Sequence, residues 1–345
     1  MWLNWRMDEQ RITLAEVAEL AGTSVATVSK VLNGRTGVSD AQRARITQLL
    51  NDNGYRRRGL NPRAPARLID VVLRGIDTQW ATQVLVGAEE EASRMGVGIV
   101  VTVTHGRNLG NRRWLSSVAQ RHTDGLILVV SRLNQGMDVE LAKLHIPFVM
   151  VDQIGGATAN VPVIGATNFA GGRAATEHLL GLGHRRIGII TGDPDMQCSQ
   201  ERLDGYRAAL ARVGVTPEPE LIRVGNFLAS GGHDEAMKLL SLPRPPTAIF
   251  AGSDLQAYGV YQAAREKKLR IPEDLSVIGF DDVEMCRWLS PQLTTVRQPI
   301  EDMAREATRI LLSLAYRGLQ PLKPKVEMAT SLVVRESTAR PAVLG

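Results

Sequence analysis

The sequence is poor in the features on which several functional classes depend. Only two of its 345 residues are cysteine, Cys198 and Cys286. Neither belongs to a C-x-x-C pair, so neither a disulfide framework nor a zinc site is indicated, and a reducing compartment fits. The histidines, His105, His122, His145, His178, His184 and His233, lack metal-ligand spacing, and no metal site or cofactor is expected. No stretch approaches the roughly 18 uninterrupted apolar residues of a membrane span. Residues 1–10 carry no apolar segment of signal-peptide length and read as a tail. A cytoplasmic protein without membrane contact is therefore expected. G-x-S-x-G, G-x-x-x-x-G-K-[ST] and H-E-x-x-H are all absent, and residues 106–110 form no dinucleotide fingerprint. An enzyme is not expected, although an α/β fold does not by itself settle function.

What the chain does have is unevenly distributed charge. Its net charge is +5, from 41 Lys/Arg and 36 Asp/Glu. Residues 1–67 hold 11 basic and 6 acidic side chains, and the remainder holds 30 of each. All the excess positive charge thus lies in the first fifth, which suggests a basic module that meets a polyanion, joined to a near-neutral body. The length calls for two or three domains.

The basic part reads as three short helices. Thr13 and Glu16 have capping-box spacing, and Leu14, Val17, Ala18 and Ala21 follow at helical intervals up to Gly22. Ser24 supplies the next cap, for a helix over 25–32 closed by Asn33-Gly34. Ser39 with Gln42 repeats the capping pattern ahead of an apolar face at Ile46, Leu49 and Leu50. Two helices joined by a tight glycine turn make a helix-turn-helix. With Val28, Val31 and Leu32 inward, Val25, Ala26, Ser29, Lys30 and Asn33 form the outer face, the one that would enter a major groove. Lys30 can donate to guanine O6/N7 or a phosphate, and Val25 and Ala26 can touch a thymine methyl. Thr13, Thr27 and Ser29 suit phosphates. The plain alternative is a three-helix bundle with a solvated polar face.

From residue 68 the pattern changes to apolar runs, at 68–73, 98–103, 125–130, 147–151, 186–191, 247–251 and 276–280, alternating with helical segments such as 80–95, 171–183, 202–213 and 255–268. That alternation predicts parallel sheets with helices on both faces. Ligands of such sheets sit beyond the carboxyl ends of the strands. There stand Asp77, Gln79 and Trp80, then Asp193, Ser253-Asp254 and Asp281-Asp282. Carboxylates, the Arg202 guanidinium and the flat faces of Trp80 and Phe227 suit an uncharged polyhydroxylated ligand, because charged groups bind vicinal hydroxyls and a pyranose face stacks on an aromatic ring. Against this, acids at strand ends often cap the next helix, and both aromatics could be packing residues.

The run from Ile12 to Asn33-Gly34, followed by Val38-Ser39 and Gly54-Tyr55, closely resembles the DNA-binding head of the LacI family of bacterial regulators. Gly183-His184-Arg185-Arg186-Ile187-Gly188, Arg202-Leu203-Asp204-Gly205-Tyr206, Ala251-Gly252-Ser253-Asp254, Val277-Ile278-Gly279-Phe280-Asp281-Asp282 and residues 293–299 are similar to that family's effector domain, itself related to periplasmic sugar-binding proteins. The resemblance implies a repressor that binds double-stranded operator DNA as a homodimer under control of a sugar. It makes Val25 and Ala26 the operator-specificity pair, places Lys30 against a base, and puts Arg202, Phe227, Ser253 and Asp281 on the effector, with Asp77 and Trp80 closing the other lobe. Ser253 departs from the Asn common at that position. The alternatives are a sugar-binding protein without a regulatory role or an α/β enzyme; the basic head and the missing motifs argue against them.

The linker departs further. The family's hinge helix wedges a Leu into the minor groove, but Pro62 and Pro65 cannot both lie inside a helix. Two readings stand: Leu60 as the wedge with Arg57 and its neighbours in the minor groove, or a flexible basic tether. The expected organisation is a head at 11–58, a linker at 59–67 and an effector-binding, dimerising body at 68–345. Within the body, one lobe is expected from 68–165 plus 293–325 and another from 166–292 plus 326–340, with crossings near Gly165, Gln292 and Lys325.

Overall fold

The computed structural model describes residues 13–32, 37–52, 66–105, 112–129, 137–144, 146–152, 161–317 and 325–342. The chain divides into two compact units, residues 1–64 and 65–345.

The first unit contains helices α1 (Leu14–Leu20), α2 (Val25–Leu32) and α3 (Asp40–Asp52). Each start follows from its cap. The Thr13 hydroxyl accepts from the Glu16 amide while the Glu16 carboxylate reaches back to the Thr13 amide, which satisfies first-turn donors that have no helical partner. Ser24 accepts from the Thr27 amide at 3.2 Å and Ser39 from that of Gln42 at 3.4 Å. Gly22, at φ +61°, makes the turn between α1 and α2. Val17, Ala18, Ala21, Val28, Ile46 and Leu50 form a small core.

The second unit is built on two six-stranded sheets. The first comprises β1 (Leu68–Leu73), β2 (Gly98–Val103), β3 (Gly125–Val129), β4 (Phe148–Val151), β5 (Val163–Ala166) and β11 (Lys325–Met328), in the order β11-β5-β4-β3-β1-β2 and parallel throughout. The second comprises β6 (Ile187–Thr191), β7 (Ile222–Val224), β8 (Ala248–Ala251), β9 (Ser276–Asp281), β10 (Thr294–Arg297) and β12 (Ser331–Val333), in the order β12-β10-β9-β8-β6-β7. Only β12 is antiparallel to its neighbour. In each sheet the order reverses direction beside the first strand, and such a reversal opens a crevice at the carboxyl ends. Helices α4 (Gln79–Arg94), α5 (Arg112–Arg121), α6 (Met137–Leu144) and α11 (Ile300–Arg317) belong to the first sheet's lobe, and α7 (Asn168–Gly181), α8 (Gln197–Arg212), α9 (Ala229–Leu240) and α10 (Asp254–Glu266) to the second's. Among the described residues no helix is long and apolar enough to cross a membrane.

The chain crosses between lobes later than the sequence suggests. β5 runs to Ala166, so the first crossing is at Thr167. β10 pairs with β9, from Thr294 opposite Ile278 to Arg297 opposite Asp281, so residues 293–297 belong to the second lobe and the second crossing follows Arg297. β11 pairs with β5, which keeps residues 325–328 in the first lobe. Strands β10 and β11 carry Thr, Lys and Glu, so no apolar run announces them; polar groups here are satisfied by partners distant in sequence, as where the Thr294 amide donates to Ser337 Oγ at 2.8 Å. At the hinge the Thr167 and Thr330 hydroxyls lie 3.0 Å apart, and the Thr330 amide donates to Thr167 Oγ1 at 2.9 Å.

Candidate functional site

In the head, Val25, Ala26 and Lys30 are exposed on one side of α2 and Ser29 is half-buried. Val28 is buried and Val31 packs against the core. Two of the hydroxyls expected to reach phosphates, those of Thr13 and Thr27, are engaged locally. Thr13 Oγ1 donates to Glu16 at 2.8 Å, and those of Ser24 and Thr27 lie 2.9 Å apart. Asn33, Arg57 and Leu60 lie outside the described residues, as does the side chain of Leu32.

In the body, the carboxyl ends of both sheets face a cavity of about 590 Å³ between the lobes. The first lobe lines it with Arg74, Asp77, Gln79, Trp80 and Asp152, among others, and the second with Asp193, Cys198, Arg202, Asn226, Phe227, Ser253, Asp281 and Met285. Gln298, on the second crossing, also lines it. The six residues that the family resemblance puts at the effector, Asp77, Trp80, Arg202, Phe227, Ser253 and Asp281, therefore line one cavity, whereas Asp254 and Asp282 do not line it.

Arg202 organises the second lobe's wall. It is 4% exposed, and its Nε donates to Asn168 Oδ1 at 2.9 Å while Nη1 donates to the Gly252 carbonyl. Its Cζ lies 3.7 Å from the Phe280 ring centroid and 5.6 Å from that of Phe227, so aromatic faces replace part of the lost hydration. Asp281 Oδ1 sits 3.9 Å from Arg202 Nη1 and accepts from Gln298 Nε2 at 2.5 Å. Burial raises the Asp281 carboxyl well above the usual carboxylate range, with Arg202 opposing and Asp254 and Asp152 reinforcing the rise. Asp281 (φ +124°) and Phe227 (φ +63°) both have left-handed backbones, strain that collects where a site needs a side chain aimed.

The other strand-end residues divide by role. Asp77 and Trp80 line the cavity beside the start of α4, which Thr78 caps. Ser253 lines it too, but its hydroxyl caps α10 through the Gln256 amide at 3.1 Å and donates to the Phe227 carbonyl at 3.1 Å. It fixes Phe227 and leaves no spare proton for a ligand. Asp254 is wholly buried beneath the site and accepts from the Val283 amide at 2.9 Å and from Thr295. Asp282 pairs with Arg297 at 2.7 Å and with Arg335. Cys198 is a free thiol whose pKa burial pushes up to about 12.

Asp152, Gln298 and Asn226 were not singled out from the sequence. Asp152 directly follows β4 and Asp281 is the last residue of β9, so the strand-end rule could have found Asp152. Gln298 and Asn226 carry no such signal.

Two family patterns match the chain: bacterial regulatory proteins of the lacI family over residues 13–58, and a periplasmic binding protein-like domain over residues 176–338. The HTH-type transcriptional repressor CytR of Escherichia coli (strain K12) is 32% identical over 336 residues, covering 96% of this chain and 98% of that protein. The transcriptional regulator CelR–cellobiose complex superposes with a TM-score of 0.74 at 30% identity, covering 95% of this chain and 100% of that one. The lac repressor dimer bound to operator and the anti-inducer ONPF gives 0.70 at 26% identity, covering 96% and 100%.

Proposed function

The chain belongs to the LacI family of bacterial regulatory proteins, and we propose on that premise that it represses sugar-utilisation genes under the control of a sugar bound between its lobes. The observation that carries this reading is the cavity wall itself, where Arg202 and Asp281 offer paired donors and acceptors beside Phe227 and opposite Trp80. Charged groups bind adjacent hydroxyls in a low-dielectric cleft, and aromatic faces take the apolar side of a pyranose. A volume of about 590 Å³ accommodates a mono- or disaccharide.

In the head, α2 is the recognition helix, with Val25, Ala26 and Lys30 on base edges. Thr13, Ser24, Thr27, Ser29 and Asn33 flank the groove, and Arg57 and Leu60 act in the linker. A homodimer sets two such helices about one helical turn apart, so that each reads half of a near-palindrome. A sugar with different affinity for two lobe arrangements changes the spacing of the heads and hence operator affinity. Working on chromosomal DNA, the protein acts in the cytoplasm.

The test is capture of source-genome fragments by the purified protein, with sequencing, repeated across a panel of mono- and disaccharides. Enrichment of one near-palindrome that one sugar abolishes or enhances is expected. No enriched sequence under any condition overturns the regulator reading, and a palindrome indifferent to every sugar overturns the effector reading.

A further inference from the structure

The chain enters the body beside one carboxylate, Asp124. Ala66 and Arg67 follow Pro65 and precede β1, so the strand ladder offers their amides no partner. Asp124, one residue before β3, supplies it: Oδ1 accepts from the Ala66 amide at 3.0 Å and Oδ2 from the Arg67 amide at 2.7 Å. The Asp124 amide donates in turn to the Leu68 carbonyl at 2.8 Å, and the Arg67 carbonyl accepts from the Gly98 amide at 2.7 Å. Arg67 is held with a left-handed backbone, φ +57°, which a residue other than glycine keeps only where its surroundings over-determine it.

Two helices that start at the cavity end on this clamp. α4 starts with Gln79 and Trp80, both cavity-lining, and the carbonyl of its C-cap, Met95, accepts from Arg67 Nη1 at 3.4 Å. α11 starts at Ile300, two residues after the cavity-lining Gln298. Near its end the Tyr316 hydroxyl donates to Asp124 Oδ2 at 2.7 Å, and the centre of its ring lies 5.3 Å from Arg67 Cζ. At 1.5 Å per residue, helices of 16 and 18 residues span about 24 and 27 Å. They are locked side by side: Arg305 Nη2 of α11 donates to Glu90 Oε2 of α4 at 2.8 Å, and Gly87 lies so close to the Glu301 backbone that a Cβ there would not fit.

A lobe repositions the chain that leaves it only if the point of departure is rigid; a loosely attached tether absorbs the displacement. We propose that Asp124 and Tyr316 are positioning residues for the linker: through α4 and α11 they make the exit of the chain at Arg67 follow the cavity, so that a sugar changes operator affinity by way of this clamp. This rests on the regulator reading above and adds to it residues that stand outside the cavity lining.

The test compares wild type with Asp124→Asn and Tyr316→Phe in the full chain. Asn must turn its NH2 group toward at least one of the three donors that now face the carboxylate, and Phe keeps the ring beside Arg67 but removes the hydroxyl. Operator affinity is measured by mobility shift on the captured near-palindrome, without and with the sugar that alters it, and sugar affinity of the DNA-free protein by calorimetry. Asp124→Asn should shrink the sugar's effect on operator affinity at least about fivefold while sugar affinity stays within about twofold of wild type. Tyr316→Phe should shrink the effect in the same direction, and it decides should Asp124→Asn not fold. A sugar effect of wild-type size overturns the proposal, and so does a loss of sugar affinity in step with it, which would make the clamp a structural support only.

Absence of an operator or of any sugar effect would defeat the reading on which this rests, and the clamp is then decided without ligand by hydrogen exchange. The Ala66 and Arg67 amides should exchange at least about tenfold faster in Asp124→Asn than in wild type while the β1 amides stay protected. Equal exchange overturns the proposal.

Discussion

Gln79 Oε1, at the start of α4 in the first lobe, accepts from the backbone amide of Met285 in the second lobe at 3.0 Å. The bond links two residues that line the cavity and lie 206 apart in sequence. It exists only while the lobes are together, so it biases the arrangement that encloses a ligand. Removing it with Gln79→Ala should weaken effector binding about fivefold, the equivalent of one net hydrogen bond of about 1 kcal/mol. Titration calorimetry checks this; unchanged affinity would show that the bond does not hold the ligand-bound form.

Asp281→Asn keeps an oxygen for Gln298 Nε2 but puts an amide in place of the carboxyl facing Arg202. Effector affinity should fall roughly tenfold to a hundredfold, the range for a hydrogen bond to a charged group. Operator binding without effector should persist, as a mobility-shift titration can measure. Loss of both would assign Asp281 to folding instead.

Lys30 is exposed on α2. Lys30→Ala should weaken operator binding by about 1–3 kcal/mol and relax base preference at one position in each half-site. A uniform weakening across sequences, with a shallower salt slope, would place Lys30 on a phosphate.

His184 gives the body an acid-sensitive point. It is 1% exposed, with Nδ1 2.8 Å from Thr247 Oγ1 and Nε2 2.9 Å from the Ala339 carbonyl. A carbonyl only accepts, so Nε2 carries the proton of a neutral ring. Burial lowers the pKa of His184 from 6.5, and nearby His178 lowers it further. The unfolded chain then takes up the proton more readily than the folded one, so this stability is complete above about pH 6.5 and is lost as pH falls toward the lowered folded value. The midpoint gap between wild type and His184→Gln should narrow from pH 7 to pH 5. A constant gap would exclude the linkage.

Gly205 tests how Arg202 is seated. A Cβ there would lie 2.3 Å from the Phe169 carbonyl oxygen and 2.6 Å from the Arg173 amide nitrogen, because α7 and α8 cross backbone to backbone. Gly205→Ala should force the helices apart, costing about 1–3 kcal/mol as overpacked sites do, and displace Arg202 one turn away. Gly181→Ala, whose Cβ meets nothing within 4 Å, should leave denaturant midpoint and effector affinity essentially unchanged. Similar effects at both sites would rule out close packing as the cause.

The sequence by itself determined whatever depends on neighbours along the chain. The three head helices follow from the caps at Thr13, Ser24 and Ser39 and from 3.6-residue apolar spacing, since both act within a single turn. The wholly apolar strands, such as the one over 125–129, were legible because burial on both faces leaves a local signature. Asp77 and Asp281 could be singled out because parallel sheets present strand ends to ligands. The tertiary structure alone decided what depends on partners distant in sequence. Strand β10 joins the second lobe through its register with β9, although its Thr-rich sequence carries no apolar run. Of two adjacent acids, Asp281 faces the cavity while Asp282 is neutralised by Arg297 and Arg335, and Asp254 is buried beneath the site. Asp152 and Arg202 are brought to one cleft from opposite lobes by the chain's crossings. Register, burial and pairing are sums over many distant contacts, and no window of sequence contains them.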